Sequence, residues 1–423
     1  MNTVDKKLQH APHAPEDKDQ NAWRILLVSH SMGLTGAPHS LLRHAKYMLE
    51  AGYTVDVCSI DYYKDNSLES TYIEAGLTPV HIEDSVEAMT RFLDAADGPY
   101  NLAVCNTICT YKCAAVLQQR GVPTVWFIRE TKWLDWWFIS NPQFAQVFKD
   151  FYNLYAPSNY TAKVISTFNN RVKVLNNSVA DSFIAYSQIS ETTRFGFIGS
   201  IIPEKGLAVL LKAYAGCVSS GLAVKLTIAG KTSGAFSKNL MEKTHDIDGV
   251  KWIGAVDGKT KQAFFESIDV LCAPSYDEPS GLTVMEGAMY GKAVITTTRT
   301  GAKYMVDSAS GAIVEPGNID ALRDAMKRMA MLSRIDLRAM QKHSRELYLA
   351  YGTSEREREE VLRMVAENIG HPPRKLIRCR EAPTISWMSR AVRKARRILW
   401  NRYLRLLGRG TLVPCLDEKL FKD

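Results

Sequence analysis

The stretch Pro274-Ser-Tyr-Asp-Glu-Pro-Ser-Gly-Leu-Thr-Val-Met-Glu-Gly-Ala-Met-Tyr-Gly291 is the most informative part of this chain. It follows Val270 to Ala273, a short apolar run of strand character. Ser280 and Gly281 stand just before an apolar-periodic segment, so the reading is strand, loop, helix start. A helix start presents backbone N–H groups and the positive end of the helix dipole, which favours an anion by roughly 0.3 to 2 kcal/mol. Glu278 falls in the loop and Glu286 about two turns inside the helix. At a rise of about 1.5 Å per residue, the two carboxylates stand roughly 10 Å apart. That spacing suits a ligand with hydroxyls at both ends and phosphate between them.

Outward from this stretch, strand-like and helix-like runs alternate, the pattern of a parallel sheet wrapped by helices. Arg24 to Val28 reads as a strand, Ser29 to Gly36 as a glycine-containing loop, and Ala37 to Ala51 as a helix. Gly52 closes that helix, and Val55 to Cys58 follows as a strand. Further strands are expected at Leu102 to Cys105, Thr124 to Ile128, Tyr152 to Ala156 and Val172 to Leu175. The pattern then restarts with a strand at Arg194 to Ile198, a loop at Gly199 to Gly206 and a helix at Leu207 to Val218. Val224 to Ala229, Val270 to Ala273 and Ala293 to Thr297 continue it as strands, and Asp320 to about Asn368 reads as helical.

The fold class is therefore α/β, with two Rossmann-like doubly wound domains expected to face a cleft. The expected division is a lead-in over 1–22, a first domain over 23–180, a second over 181–370 and a tail over 371–423. Open α/β sheets bind ligands beyond the carboxyl ends of their strands. Chemistry is thus expected in the loops after Val28, Ile128, Ile198, Ala229 and Ala273.

Bulk properties exclude several classes. At 423 residues, 46% hydrophobic and 23% charged, this is ordinary soluble-enzyme composition, and two domains are the starting expectation. No apolar run reaches the roughly 18 residues of a membrane span. The first 22 residues are polar and lack the apolar core of a signal peptide. Eight cysteines without a C-x-x-C pair speak against a zinc site or disulfide framework and for a reducing cytosol. The nine histidines give no metal-ligand spacing, so no protein-bound metal or cofactor is expected.

Glu278 and Glu286, with their surroundings Asp277 to Leu282 and Glu286 to Val294, resemble the E-x7-E motif of retaining GT-B glycosyltransferases of family four, the glycosyl transferase group 1 domain. Two glutamates eight apart are common; inside this glycine framework and after a strand they are specific. Phe197-Ile-Gly-Ser-Ile-Ile-Pro-Glu-Lys-Gly206 resembles the loop that opens the family's donor domain. The resemblance implies a nucleotide-sugar donor, with Lys205 on its diphosphate, Glu278 on sugar hydroxyls and Glu286 on the ribose. A fixed cation there would stabilise the charge that builds as the nucleoside diphosphate leaves. Backbone around Ser280, Gly281, Leu282 and Thr283 would grip sugar and phosphate.

Gly199 and Ser200 belong to the same loop, but Ser200 stands where the family usually carries an arginine, and Lys231 is the positional substitute. Gly33-Leu-Thr-Gly-Ala-Pro38 resembles the first-domain glycine loop, so Gly33 and Gly36 either approach the donor or simply make a turn. Arg129, in Trp126-Phe-Ile-Arg-Glu130, takes the place of a family histidine and reads equally as an acceptor contact or a structural partner of Glu130. Trp133, Trp136 and Trp137 line an acceptor pocket or, more commonly, pack a core. The catalytic set on this reading is Glu278, Lys205 and Arg129. Retention of anomeric configuration is implied by the resemblance alone, and a divalent metal carried by the donor phosphates stays open. The resemblance runs from about Ile25 to about Ala366.

The net charge of +8 is unevenly placed. Twelve Arg or Lys against Glu381 between Pro373 and Gly410 give +11, leaving 8 − 11 = −3 for everything else. From Ile385 to Leu407, apolar residues recur at three and four with arginine and lysine between them, a basic amphipathic pattern. Residues 385–409 are expected on an anionic membrane surface, with packing on the first domain as the alternative. The cytoplasm, or the inner face of its membrane, is the expected location, with a glycan or lipid-linked acceptor as in envelope or capsular polysaccharide synthesis. Nucleic acid is not expected, since the body carries no basic patch. A non-catalytic scaffold of the same fold is the competing function. A dinucleotide oxidoreductase is disfavoured because no G-x-G-x-x-G follows the first strand.

Overall fold

The computed structural model describes residues 23–371 apart from Trp133, Ser233, His245 and Asp246. The polar lead-in, Trp133 and the basic tail, with its expected membrane surface at 385–409, lie outside the described residues. By density of internal contacts the chain forms two units. One holds residues 23–127, 151–153 and 358–371; the other holds 128–150 and 154–357.

In the first unit, strands β1 (Arg24–Ser29), β2 (Thr54–Ser59), β3 (Val80–His81), β4 (Leu102–Asn106) and β5 (Thr124–Phe127) run in the order β3-β2-β1-β4-β5. All these pairings are parallel, with Ile25 opposite Val55 and Leu102. Ile25, Leu26, Leu27 and Val28 are wholly buried, as a parallel strand covered on both faces requires. Helices α1 (Gly36–Glu50), α2 (Glu69–Glu74), α3 (Val86–Asp94) and α4 (Tyr111–Gln119) connect the strands. Pro38, Leu41, Leu42 and Ala45 lie in the buried stripe of α1, at the i, i+3, i+4, i+7 spacing of an amphipathic helix.

The second unit begins with α5 (Leu134–Ser140), α6 (Pro142–Asp150), β6 (Leu154–Ala156), α7 (Asn159–Ile165) and β7 (Val172–Val174), with β6 and β7 parallel. Residues 175–192 carry neither helix nor strand. That run is pinned by Tyr348 OH donating to Val179 O at 2.8 Å and Ser178 Oγ donating to Glu357 Oε2 at 2.6 Å.

Then come β8 (Thr193–Ile198), α8 (Leu207–Ser219), β9 (Val224–Ala229), α9 (Ala235–Thr244), β10 (Val250–Gly254), α10 (Gly258–Glu266), β11 (Val270–Ala273), α11 (Leu282–Met289), β12 (Ala293–Thr297) and β13 (Gly311–Val314). Their sheet runs β10-β9-β8-β11-β12-β13, all parallel. Successive strand side chains point to opposite faces, and the core divides accordingly. Val270 and Cys272 pack with the residues of α8, and with Leu322, Ala325 and Met326 of α12 (Ile319–Ala330). Leu271 and Val294 pack on the other face with Phe264, Phe265, Met285 and Ala288. Helices α13 (Arg334–Tyr351) and α14 (Ser354–Asn368) end the described chain, residues from 358 on counting with the first unit.

Three strands have no clear signal in the sequence. β3 has two residues, β10 has no buried residue, and β13 is a four-residue edge strand that opens on a glycine, so their apolar signal is weak. The helical stretch after Asp320 is three helices, one boundary being made by Ser333, whose hydroxyl accepts from Asp336 N at 3.1 Å.

Candidate nucleotide-sugar site

The loop after β11 leaves a buried strand and turns into α11 at Gly281. Gly281 has φ +84°, and a Cβ there would lie 2.8 Å from the amide nitrogen and Cβ of Ala302. Only glycine permits both the left-handed backbone and the close approach. The loop is held against residues 299–301 by Glu278 N donating to Arg299 O at 3.0 Å and Gly301 N donating to Glu278 O at 2.8 Å. The Glu278 carboxylate then accepts from two sides: from Gly281 N at 3.2 Å on Oε1, and from Lys205 Nζ on Oε2.

Lys205 arrives from the loop after β8. Gly199 and the exposed Ser200 open that loop, and a single 3-10 turn, Pro203–Lys205, leads into α8 through Gly206. A Cβ on Gly206, at φ +71°, would stand 2.0 Å from Pro274 O, so the two loops are in backbone contact. Tyr276 N donating to Glu204 O at 2.8 Å locks the same approach. Strands β8 and β11 are sheet neighbours, which is why loops about 70 residues apart in sequence meet here. Lys231 follows β9, next but one to β11, and is exposed. Among the described residues no ion pair ties it to Glu278.

Glu286 is the fifth residue of α11, because the helix begins at Leu282. It therefore lies just over one turn inside, not two. Lys261 Nζ of α10 donates to Glu286 Oε1 at 2.8 Å. Leu282 and Thr283 form the first turn of α11, whose N–H groups have no intrahelical acceptor.

A set of hydroxyls and amides clasps the loop on either side of Glu278. Thr131 Oγ1 and Tyr160 OH donate to the two oxygens of Asp277, both at 2.5 Å. Ser158 Oγ and Thr161 Oγ1 donate to Pro279 O at 2.6 and 2.9 Å. Asn177 Nδ2 donates to Ser280 Oγ at 2.5 Å, while Arg129 Nη1 donates to Asn177 Oδ1 at 3.1 Å. Arg129 thus reaches Ser280 through Asn177, and its own backbone N–H donates to Glu130 Oε2 at 2.9 Å. Burial holds the Asp277 carboxyl above its usual range despite the two hydroxyls that favour its charge. Lys132 pairs with Glu204. Burial alone would raise the Glu204 carboxyl, but the Lys132 hydrogen bond, a backbone hydrogen bond and the charges of Lys132 and Lys205 together outweigh it, and the group falls below its usual range.

The structure therefore brings together Lys205, Glu278, Ser280 and Gly281, with Arg129 one residue removed. Gly33 and Gly36 lie in the first unit, where Gly33 sits against the Asp65 carboxylate and Gly36 opens α1. Trp137 and Phe138 pack on Phe144 with ring centroids 5.1 and 5.4 Å apart. Sequence reasoning missed Asp277 as a clasped residue, and missed Thr131, Tyr160 and Lys261 altogether. These last three carry no local motif; each is placed by folding. Among the described residues, no three His, Cys, Asp or Glu side chains cluster as a metal site needs, and no helix is long and apolar enough to cross a membrane.

The two parallel α/β sheets are those of the GT-B fold. HepE of Anabaena, solved with UDP and glucose, superposes with a TM-score of 0.68 at 15% identity, over 82% of this chain and 100% of that one. Residues 182–346, which include Lys205, Glu278 and Glu286, match the model for glycosyl transferases group 1. A phosphatidyl-myo-inositol mannosyltransferase of Mycobacterium leprae is 28% identical over 162 residues, 37% of this chain and 43% of the relative. D-rhamnosyltransferase WbpZ of Pseudomonas aeruginosa is 30% identical over 139 residues, 31% of this chain and 35% of its own. The chain thus spans under half the length of these curated relatives.

Proposed function

We propose that this protein is a glycosyltransferase that moves a sugar from a nucleotide-sugar donor to a glycan or lipid-linked acceptor. The observation that carries the reading is the meeting of Lys205 with Glu278 beside the start of α11, inside the group 1 region. Lys205 and the N–H groups of Leu282 and Thr283 would take the diphosphate. Glu278 would accept hydrogen bonds from sugar hydroxyls, and Glu286 from the ribose. As the anomeric C–O bond to the diphosphate breaks, charge grows on the phosphate oxygen, where a fixed cation and helix N-terminus stabilise it. With retention, the acceptor oxygen bonds to the anomeric carbon on the face the phosphate leaves, and the departing phosphate oxygen takes the acceptor proton. A divalent metal, if used, would travel with the donor phosphates.

The curated relatives include transferases named for phosphatidyl-myo-inositol, capsular polysaccharide and rhamnose. They support an acceptor in envelope or capsular glycan synthesis. The basic stretch 385–409 would hold the enzyme at an anionic surface on the cytoplasmic side, which flotation with vesicles with and without anionic lipid tests.

A thermal-shift screen with UDP-, GDP- and ADP-sugars, on the wild type, Lys205→Ala and Glu286→Ala, tests the donor site. A donor at a hundredfold over its dissociation constant should stabilise by about 2.7 kcal/mol. A shift with one base, lost in both variants, is expected; no shift with any donor, with or without divalent metal, would sink the proposal. The exposed Ser200, where the resemblance implies an arginine, favours a second reading: a scaffold that binds the donor without turning it over. Donor binding without release of nucleoside diphosphate over a range of acceptors would select it.

A further inference from the structure

We infer that Lys261 is a positioning residue for the nucleoside end of the donor, holding Glu286 so that one carboxylate oxygen is presented to a ribose hydroxyl. This rests on the proposed donor site. Helices α10 and α11 meet in two rungs, each partner one turn along from the last. Phe265 stacks on Tyr290 with ring centroids 4.5 Å apart and planes at 17°. Four residues earlier on each helix, Lys261 Nζ donates to Glu286 Oε1 at 2.8 Å. Residues four apart share a helix face, so the aromatic rung already fixes the packing of the two helices. The charged rung lies toward their N-terminal ends, the side of the sheet where the strands finish and ligands bind.

The pair is poorly explained as a stabilising device. Both side chains are partly exposed, at 36% and 21%, and such pairs add little to stability. Lys261 also sits in the first turns of α10, where the helix dipole disfavours a cation. The Asp257–Thr260 capping box starts that helix without help from it. What the lysine does achieve is chemical. It occupies Oε1 of Glu286 and fixes the carboxylate plane, which leaves Oε2 as the acceptor for a hydroxyl. A carboxylate free to rotate would lose that orientation, and with it the preference for a nucleotide whose hydroxyl is present.

Titration calorimetry with UDP, GDP and ADP, each beside its 2′-deoxy and 3′-deoxy counterparts, tests this on the full chain, on Lys261→Met and on Lys261→Arg. The wild type is expected to prefer the full ribonucleotide over at least one deoxy form by about tenfold or more, the weight of a hydrogen bond to a charged group. Lys261→Met should bring that ratio close to one, while Lys261→Arg restores most of it. A purely structural lysine would lower affinity for ribo and deoxy forms alike and leave the ratio unchanged, which overturns the inference. So does a wild type that binds ribo and deoxy forms equally, while leaving the donor site standing. A wild type that binds none of the three diphosphates removes the donor site and this inference together.

Discussion

Lys205 Nζ donates to Glu278 Oε2, joining the loops that follow the neighbouring strands β8 and β11. The carboxylate accepts from Gly281 N on its other oxygen. One cation and one helix-start amide therefore set the direction of a single side chain, and the three groups respond differently to substitution.

Lys205→Met is expected to weaken a nucleoside diphosphate and its sugar conjugate alike, by about tenfold to a hundredfold, since a charge-assisted hydrogen bond to phosphate is lost from both. Glu278→Gln should spare the nucleoside diphosphate and weaken the sugar conjugate alone. Calorimetry with UDP and UDP-sugar, or the pair that the screen selects, separates the two. Equal losses on both ligands in Glu278→Gln would remove that residue from sugar recognition.

Gly206→Ala should be among the more damaging small substitutions in the chain. The new Cβ would meet Pro274 O at 2.0 Å with φ at +71°. Gly121→Ala, at φ +76° with nothing within 4 Å, isolates the backbone strain, which costs about 1 to 2 kcal/mol. Gly206→Ala should exceed it by at least about 1 kcal/mol in denaturant unfolding. Equal costs would mean that the two loops do not press on each other.

Thr131→Val and Tyr160→Phe each take a hydroxyl from the buried Asp277 carboxyl, at a cost of about 1 to 3 kcal/mol. Asp277 is held above its usual range, so its folded form favours the proton. Its contribution to stability is full at low pH and is lost as pH rises through the raised folded value. The hydroxyls serve the charged form, so both variants should lose more stability near about pH 7 than near about pH 4. Unfolding curves at the two pH values check this; an equal loss at both would show that Asp277 does not titrate between them.

Lys292 is 3% exposed, with Nζ donating to Ser187 Oγ at 2.9 Å. Burial pushes it down to about 8. A lysine lowered in the folded state costs stability wherever it must be charged, so that cost is full below about pH 8 and is relieved toward about pH 10. Lys292→Met should raise the melting temperature at neutral pH and flatten the rise in stability above about pH 8. A variant that is less stable at neutral pH would show that the Ser187 hydrogen bond outweighs burial.

The strands with the strongest local signal are legible in the amino-acid sequence alone. Val224 to Ala229, Val270 to Ala273 and Ala293 to Thr297 form strands over the residues expected of them. They lie inside a parallel sheet, where most of their side chains are buried, and turn residues bound each run. β10, with no residue fully buried, and β13, at the edge of the sheet, are not legible for the same reason. Helix α11 begins at Leu282, directly after the Ser280-Gly281 pair that the sequence places before it, and only the depth of Glu286 differs, just over one turn rather than two.

The candidate site divides along the same line. Glu278, Glu286, Gly281 and Lys205 stand out in sequence through spacing and family resemblance within two short segments, since a strand, a turn and a helix start are local events. Lys261, Thr131 and Tyr160 do not. A lysine on a helix or a threonine in a loop looks the same whether it faces water or a motif glutamate. The partner of Lys261 is 25 residues away and that of Thr131 is 146. Such pairings exist only once parallel strands have set their neighbours and the loops beyond them have been brought within hydrogen-bond reach. Local chemistry named the residues that would touch a donor; strand order and packing chose the residues that aim them.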